Sequence, residues 1–89
     1  MMELRIKSTA VLDTRGAIYT RDKNSTHATI KDYIPIRIWE VCEDGFLLNN
    51  GEFADRKTAL RIAIEAGQTL AGIEQGGLFS YDVLWDEVE

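Results

Sequence analysis

The stretch GFLLNNGEFADRKTALRIAIEAGQ, residues 45–68, decides the fold, because it places a tight turn between two apolar runs and a helix start directly afterwards. Asn50 and Gly51 both tolerate the positive φ angles of a tight hairpin turn. The stretch therefore predicts two short antiparallel strands, at 45–48 and 52–54.

The second part of this stretch is typical of a capped amphipathic helix. Asp55 has the short acceptor side chain that is preferred at an N-cap, and Thr58 follows it as a partial capping box. Small and apolar residues recur at helical spacing on one face, namely Leu60, Ala63, Ile64 and Gly67. This pattern predicts a helix that packs one side on the sheet.

The N-terminal residues show the same pattern of a hairpin followed by a helix. Apolar residues alternate along 3–12, which predicts a strand. The turn sequence DTRG at 13–16 follows, and residues 17–20 return as a second strand. Asp13 is placed to bond the backbone ahead of it, and Gly16 is free to take a positive φ angle.

The segment after this hairpin is ambiguous. Ser25 or Thr26 can cap a helix that begins near His27. The inner stripe of that helix would be Ile30, Ile34, Ile38 and Val41. Pro35 interrupts a helix, whereas IPIRI also alternates like a strand. The pattern favours a helix that is kinked at Pro35 or restarts at Asp32, with a strand over 34–42 as the alternative.

The C-terminal residues indicate shorter elements. Three glycines within 71–77 indicate a loop, and Ser80 is typical of the N-cap of a short terminal helix, with an edge strand over 83–85 as the alternative. The sequence thus predicts a single α+β domain over residues 1–89. Its two β-hairpins are each followed by an α-helix (ββαββα), with a short C-terminal helix or strand.

Composition excludes several classes of partner. The 89 residues include 15 acidic and 10 basic ones, for a formal net charge of -5. This acidity opposes binding along a phosphate backbone, so we expect no nucleic-acid partner. No run approaches the roughly 20 apolar residues of a membrane span, so we expect no membrane partner. The single cysteine, Cys42, cannot form an internal disulfide, which favours the cytoplasm.

Candidates for binding an anion are His27 and, around it, Tyr19, Lys23, Lys31, Arg37 and Arg56, and four of them, His27, Arg56, Tyr19 and Lys31, are preferred. His27, the only histidine, lies at a predicted helix start, where free N–H groups attract anions. Arg56 directly follows a predicted cap, where the helix dipole disfavours a cation, which indicates a negative group nearby. That group is either a ligand or an acidic side chain of the protein. Lys31 lies on the first helix and Tyr19 precedes it. With one histidine and one cysteine, the sequence predicts no metal site, and it contains no catalytic motif.

The quoted stretch, together with LFSYDVLW at 78–85, resembles a group of small phage and prophage proteins of uncharacterised function. That group has a pattern close to GF(V/L)xxxGxFx(D/N)REEA, followed by AGQ and LFSxDL. Its N-terminal strand, turn, tyrosine-bearing strand and Arg-His helix start are matched here by LDTRGAIYT and STHATI. Thr26 and Glu52 stand where the pattern has arginine, so two cations of an anion site are absent.

The resemblance marks positions along most of the chain. They are Tyr19, His27, Gly45, Phe46, Gly51, Phe53, Asp55, Arg56, Ala59, Ala66, Gly67, Gln68, Phe79 and Ser80. Most have a structural explanation from the turns, caps and apolar faces. Gln68 has none, so it joins the ligand-binding candidates.

The resemblance implies a phage-encoded protein that acts in the cytoplasm of the host cell. We expect a small homo-oligomeric binding protein without a cofactor, an anti-defence protein that sequesters a small anionic, nucleotide-like signal. One alternative is an acidic inhibitor that blocks a host enzyme by protein contact. Another is a minimal hydrolase that uses His27 as a general base.

Overall fold

The computed structural model describes residues 3–22, 24–33 and 42–88 and shows a four-stranded antiparallel sheet in the order β2-β1-β3-β4. The strands and α-helices are β1 (Ile6–Leu12), β2 (Ile18–Tyr19), α1 (His27–Lys31), β3 (Glu43–Leu48), β4 (Phe53–Asp55) and α2 (Arg56–Glu65). Short 3-10 turns follow at Ile73–Gln75, Ser80–Asp82 and Trp85–Glu87. The α+β class is confirmed. The complete ββαββα order stays a prediction, because the ambiguous segment falls largely on 34–41, outside the described residues.

Asp13 holds the first hairpin together, as its turn sequence predicts. Its Oδ1 accepts hydrogen bonds from the backbone N–H of Arg15 at 2.8 Å and of Ala17 at 2.9 Å. Gly16 takes a φ of 87°, which only glycine adopts without strain. The Tyr19 hydroxyl donates to Oδ2 at 2.9 Å. One carboxylate therefore fixes both the turn and the end of β2.

The second hairpin uses the left-handed conformation only once. Gly51 has a φ of 90°, and its N–H donates to the carbonyl of Leu48 at 3.0 Å. Asn50 does not take a positive φ. Its side-chain oxygen instead accepts from the N–H of Glu52 at 3.0 Å. The asparagine therefore closes the turn through its side chain.

Strand register determines which side chains face the helices. Val11 lies opposite Asp44, and Phe46 lies opposite both Thr9 and Ala54. Residues that are paired directly across strands share a face of the sheet. Asp44 and Phe46, two residues apart on β3, therefore point to the same face, with Gly45 between them.

The predicted alternation along β1 is only partly right. The pairing register shifts between Ile6 and Ser8, and every residue from Ser8 to Val11 is buried. Leu4, one of the alternating apolar residues of the predicted strand 3–12, lies before β1 and is 42% exposed. An irregularity of this kind changes which side chains of the strand point to the core, because side chains otherwise alternate strictly between the two faces.

Helix α2 begins where the sequence predicts, since Asp55 Oδ1 accepts from the N–H of Thr58 at 2.8 Å. Its buried residues are Ala59, Leu60, Ile62 and Ala63. Ile64, predicted for the inner face, is 37% exposed. At 100° per residue it lies about 120° from the middle of the buried stripe. The main core contains Ile6, Phe46, Leu48, Ala54, the buried stripe of α2, Leu78, Val83 and Val88.

The chain after α2 is tied to the body by backbone hydrogen bonds. The N–H of Leu78 donates to the carbonyl of Arg56 at 2.9 Å, and the N–H of Leu84 donates to the carbonyl of Gln68 at 2.7 Å. Leu78 is fully buried. The first turn of α2 and the residues just after its end therefore both hold the C-terminal part of the chain.

The two predictions for the C-terminus are each right only in part. Ser80 begins a 3-10 turn rather than an α-helix, and the capping position belongs to Phe79. The N–H of Phe79 donates to Asp82 Oδ2 at 3.0 Å. The alternative edge strand is reduced to a single antiparallel bridge between Thr69 and Val83.

Candidate functional site

Helix α1 presents its first residue to the sheet. Thr26 caps the helix, as predicted, by accepting from the N–H of Thr29 at 3.1 Å. His27 is only 7% exposed. Its ring meets the ring of Phe46 edge-on, with centroids 5.3 Å apart. The imidazole therefore lies between α1 and β3 and is withdrawn from solvent.

Both ring nitrogens of His27 have partners. Nε2 lies 2.8 Å from the carbonyl oxygen of Gly45, and Nδ1 lies 3.2 Å from Nη2 of Arg56. A carbonyl only accepts and a guanidinium only donates. Nε2 therefore carries the proton and donates to Gly45, while Nδ1 accepts from Arg56. This arrangement fixes one neutral tautomer.

Arg56, the first residue of α2, connects three parts of the chain. Besides His27, its Nη2 donates to Asp44 Oδ2 at 3.1 Å. Its Nη1 donates to the carbonyl of Leu78 at 2.9 Å. The guanidinium carbon also lies 4.6 Å from the ring centroid of Phe79. The side chain thus joins α1, β3 and the C-terminal part of the chain at the start of α2.

A second cation completes the group. Lys31, at the end of α1, has its Nζ 2.8 Å from Asp44 Oδ1. The carboxylate of Asp44 therefore lies between the ammonium of Lys31 and the guanidinium of Arg56. We call His27, Lys31, Asp44 and Arg56 the His27–Arg56 cluster.

The surroundings determine the protonation of the cluster. Burial lowers the pKa of His27, as do the charges of Arg56 and Lys31, and these effects exceed the opposing ones of the Gly45 carbonyl and Asp44. Burial would raise the pKa of Asp44, but its hydrogen bonds and charge contacts with Lys31 and Arg56 give a net lowering. At neutral pH the cluster therefore contains a neutral imidazole, one carboxylate and two cations.

An exposed aromatic pair borders the cluster. Phe79 and Tyr81 stack with nearly parallel rings, 5.5 Å between centroids. Phe79 is 38% exposed and Tyr81 is 80% exposed. Because Phe79 also contacts the guanidinium of Arg56, the pair lies directly beside the positive side chain.

The structure brings together three of the five predicted ligand-binding residues, namely His27, Lys31 and Arg56. The Tyr19 hydroxyl bonds Asp13 instead, which raises the pKa of the tyrosine, and its side chain packs beside Val11 and Ile30. Gln68 lies apart from the cluster. It is 1% exposed, and its side-chain amide bonds the backbone of β1.

Sequence reasoning missed Asp44 and the role of Gly45. A Cβ at Gly45 would overlap the ring of Phe53 and the carbonyl oxygen of Ala54, so only glycine fits beneath that ring. Asp44 gave no local signal, since it resembles any acidic residue at a strand start. Its importance comes from partners 13 residues before it and 12 after it, at Lys31 and Arg56.

Neither a metal-binding group nor a membrane-spanning helix occurs in residues 3–22, 24–33 and 42–88. These ranges contain no group of three or more His, Cys, Asp or Glu side chains that could hold a metal ion. None of their helices has the length and apolar character needed to cross a bilayer.

Comparison with known proteins identifies a matching family. Residues 8–85 match the family described as phage T4 y16D protein. Neither the curated proteins nor the solved structures contain a significant match to this chain. The matched range begins within β1, ends just after the 3-10 turn at Ser80–Asp82 and includes every residue of the His27–Arg56 cluster.

Proposed function

This chain belongs to the phage T4 y16D protein family, and from that premise we propose that it is a small phage binding protein whose His27–Arg56 cluster takes the anionic group of a nucleotide-like ligand. In this proposal the ligand is a signal of a host defence system, and its capture keeps it from its receptor. The supporting observation is that two cations from different helices meet beside an exposed aromatic stack.

The charge balance of the cluster supports an anionic ligand. Lys31 and Arg56 exceed Asp44 by one positive charge, because the imidazole is neutral. Arg56 uses three of its five N–H groups, one on Nη1 and two on Nη2. The Lys31 and Arg56 side chains are still 24% and 28% exposed. A phosphate or carboxylate can therefore reach unused donors on both cations.

The aromatic pair supports the nucleotide-like part of the ligand. Every nucleobase has a flat face, and stacking on an aromatic side chain is worth about 1–3 kcal/mol per base. The ring of Tyr81 is largely open to solvent and lies parallel to that of Phe79, next to Arg56. The pair therefore offers a flat aromatic surface for a base in the neighbourhood of the cations.

The same geometry favours binding over hydrolysis. A general base needs a free nitrogen within hydrogen-bond reach of water. In His27, Nε2 donates to Gly45 and Nδ1 accepts from Arg56, so neither is available without breaking a contact.

The cluster is complete within one chain. Its cations come from α1 and α2 of the same molecule, so the binding proposed here does not need the homo-oligomer interface that the sequence suggested. Oligomerisation stays a prediction, which sedimentation equilibrium tests directly.

Asp44→Asn provides the sharpest test. Asparagine keeps the shape and one acceptor oxygen but removes the negative charge that competes with a ligand. Isothermal titration calorimetry with inorganic phosphate and with a panel of mono-, di- and cyclic nucleotides should show an affinity about tenfold higher than that of the unmodified protein. The carboxylate of Asp44 attracts the same two cations as the ligand, and charges a few ångströms apart interact appreciably even when partly screened. Lys31→Gln should weaken the same binding about tenfold.

A matched control is available next to Arg56. Lys57 is exposed on α2, so Lys57→Gln removes the same charge without touching the cluster and should leave affinity unchanged. Tyr81→Ala should reduce affinity for nucleotides but not for phosphate. If neither the unmodified protein nor Asp44→Asn binds any member of the panel, the cluster is only a structural junction and the proposed function is wrong.

A further inference from the structure

One nitrogen of Arg56 bridges a neutral acceptor and a charged one. Its Nη2 lies 3.2 Å from Nδ1 of His27 and 3.1 Å from Oδ2 of Asp44. Nη2 carries two hydrogens, so one goes to each acceptor and none is left over. Because both acceptors lie so close to the same nitrogen, the imidazole and the carboxylate are neighbours that are held apart by the guanidinium.

The contact with Arg56 keeps His27 neutral in the ligand-free protein. A proton on Nδ1 would point at an N–H of Nη2, and two donors cannot bond each other. Burial and the charges of Arg56 on α2 and Lys31 on α1 also oppose that proton, whereas the carboxylate of Asp44 on β3 favours it. The bond from Nε2 to the carbonyl of Gly45 suits the neutral and the charged ring alike. The protonation of Nδ1 therefore depends on where the guanidinium of Arg56 is held.

The charge of the cluster indicates which kind of anion suits each state of the ring. With a neutral imidazole, Lys31, Arg56 and Asp44 sum to one positive charge, and with a protonated imidazole the sum is two. A monoanion such as a phosphodiester balances the first state, whereas a dianion balances the second. A phosphate monoester carries about -1.5 to -2 charges at pH 7. Protonation of His27 therefore favours a monoester over a diester.

We infer, in an extension that rests on the proposed function, that the His27–Arg56 cluster binds the terminal phosphate monoester of a nucleotide as a dianion and that His27 takes up one proton at Nδ1 as the anion binds. The two events strengthen each other by the same factor, because linkage between two bound species is reciprocal. His27 acts on the ligand through Arg56 and Asp44, so it is a positioning residue and a determinant of specificity.

The exchange of partners follows from the contacts. The anion attracts Lys31 and Arg56, and its negative charge offsets theirs at the imidazole. Nη2 of Arg56 turns to the anion, while Nη1 keeps its bond to the carbonyl of Leu78. Nδ1 then has room for a proton, and Oδ2 of Asp44 has lost its donor. Asp44 thus exchanges a bond to Arg56 for one to the charged imidazole beside it.

Sulfate and dimethyl phosphate are suitable probes, because the first is a dianion and the second a monoanion throughout the range in which histidine titrates, about pH 5 to 8. His27 is the only histidine, so its ring C–H signals in a proton NMR titration report a single site. Saturating sulfate should make His27 bind its proton at least about tenfold more tightly than in the ligand-free protein. Saturating dimethyl phosphate should give about threefold, since half the charge gives half the interaction free energy.

Calorimetry measures the same linkage from the side of the ligand. Sulfate titrations in two buffers of different ionisation enthalpy should show net proton uptake by the protein, and the affinity for sulfate should rise as the pH falls from about 8 to about 6. In Asp44→Asn, sulfate should bind more tightly but with most of the proton uptake lost, because the amide does not hold a charged imidazole. Lys57→Gln removes an exposed charge of α2 outside the cluster and should behave as the unmodified protein does.

The outcomes separate the proton linkage from the proposed function. If neither sulfate nor dimethyl phosphate binds in this pH range, the cluster is not an anion site, and both proposals are wrong. If sulfate binds but leaves the proton affinity of His27 unchanged, or if dimethyl phosphate changes it equally, the anion site stands and the proton linkage is wrong. Undiminished proton uptake in Asp44→Asn would also overturn the linkage, since the acceptor assigned to the charged ring would not be needed.

Discussion

Replacing Gln68 with leucine should be among the most destabilising single changes in this chain. The side chain is 1% exposed, and both of its polar ends are used by one residue of β1. Its Oε1 accepts from the N–H of Ile6 at 2.7 Å, and its Nε2 donates to the carbonyl of Ile6 at 2.9 Å.

The reason lies in the strand order. β1 has β3 on one edge along its whole length, but on the other edge β2 pairs only with Val11 and Leu12. At Ile6 that second edge has no strand beside it among the described residues. The amide of Gln68 has the same donor and acceptor as a peptide group, so it serves as the missing strand partner.

Gln68→Leu keeps the volume but removes both partners. A buried polar group without a hydrogen bond costs about 1–3 kcal/mol, so two such groups cost about 2–6 kcal/mol. A domain of this size has a free energy of unfolding of about 4–13 kcal/mol. The change should therefore remove a large part of the stability, which a urea unfolding curve measures as a lower midpoint at unchanged slope.

Gln75→Leu is the matched control. Its amide also makes two hydrogen bonds, to Asp82 and Gly77, but the side chain is exposed and water can replace them. It should cost less than about 1 kcal/mol. Hydrogen exchange adds a local readout, because the Ile6 amide should lose protection in Gln68→Leu. If the two variants unfold at the same urea concentration, Gln68 does not act as a strand partner.

Three further predictions concern single contacts. Arg56→Lys keeps the charge but loses the forked donors, so it should lower the free energy of unfolding by about 1–3 kcal/mol and speed hydrogen exchange at the Leu78 amide. The control Lys57→Arg should cause neither effect. Thr9→Val should raise the unfolding midpoint, with a gain of about 1 kcal/mol, because Thr9 Oγ1 is buried without a partner among the described residues. The free energy of unfolding should fall as pH drops below 6.5, because the pKa of His27 is lowered in the fold and the unfolded chain takes the proton first. His27→Gln should flatten that part of the pH profile. An unaltered profile would mean that His27 is not the group whose protonation destabilises the fold.

Sequence reasoning succeeded where structure is set by neighbours along the chain. Asp13, Thr26 and Asp55 each bond a backbone N–H within four residues, so their roles follow from local side-chain chemistry. Gly51 likewise takes the positive φ that its turn demands. The information that specifies these caps and turns is contained in a few consecutive residues.

It failed where the partner lies far along the chain. Gln68 contacts Ile6, 62 positions away, and Asp44 contacts Lys31 and Arg56, 13 and 12 positions away. Nothing local distinguishes a glutamine that completes a sheet from one that binds a ligand. Gln68 looked like an unexplained polar residue and Asp44 like any acidic residue at a strand start, yet Gln68 belongs to the core and Asp44 to the His27–Arg56 cluster.

Net charge misled for a related reason. A value of -5 averages over two regions, since residues 1–61 carry a slight positive excess and residues 62–89 carry acids only. The average hides a cationic cluster on α1 and α2 and a C-terminal part of the chain whose charged residues are all acidic. Arg56 links the two, because its guanidinium bonds Asp44 on one side and the Leu78 carbonyl on the other.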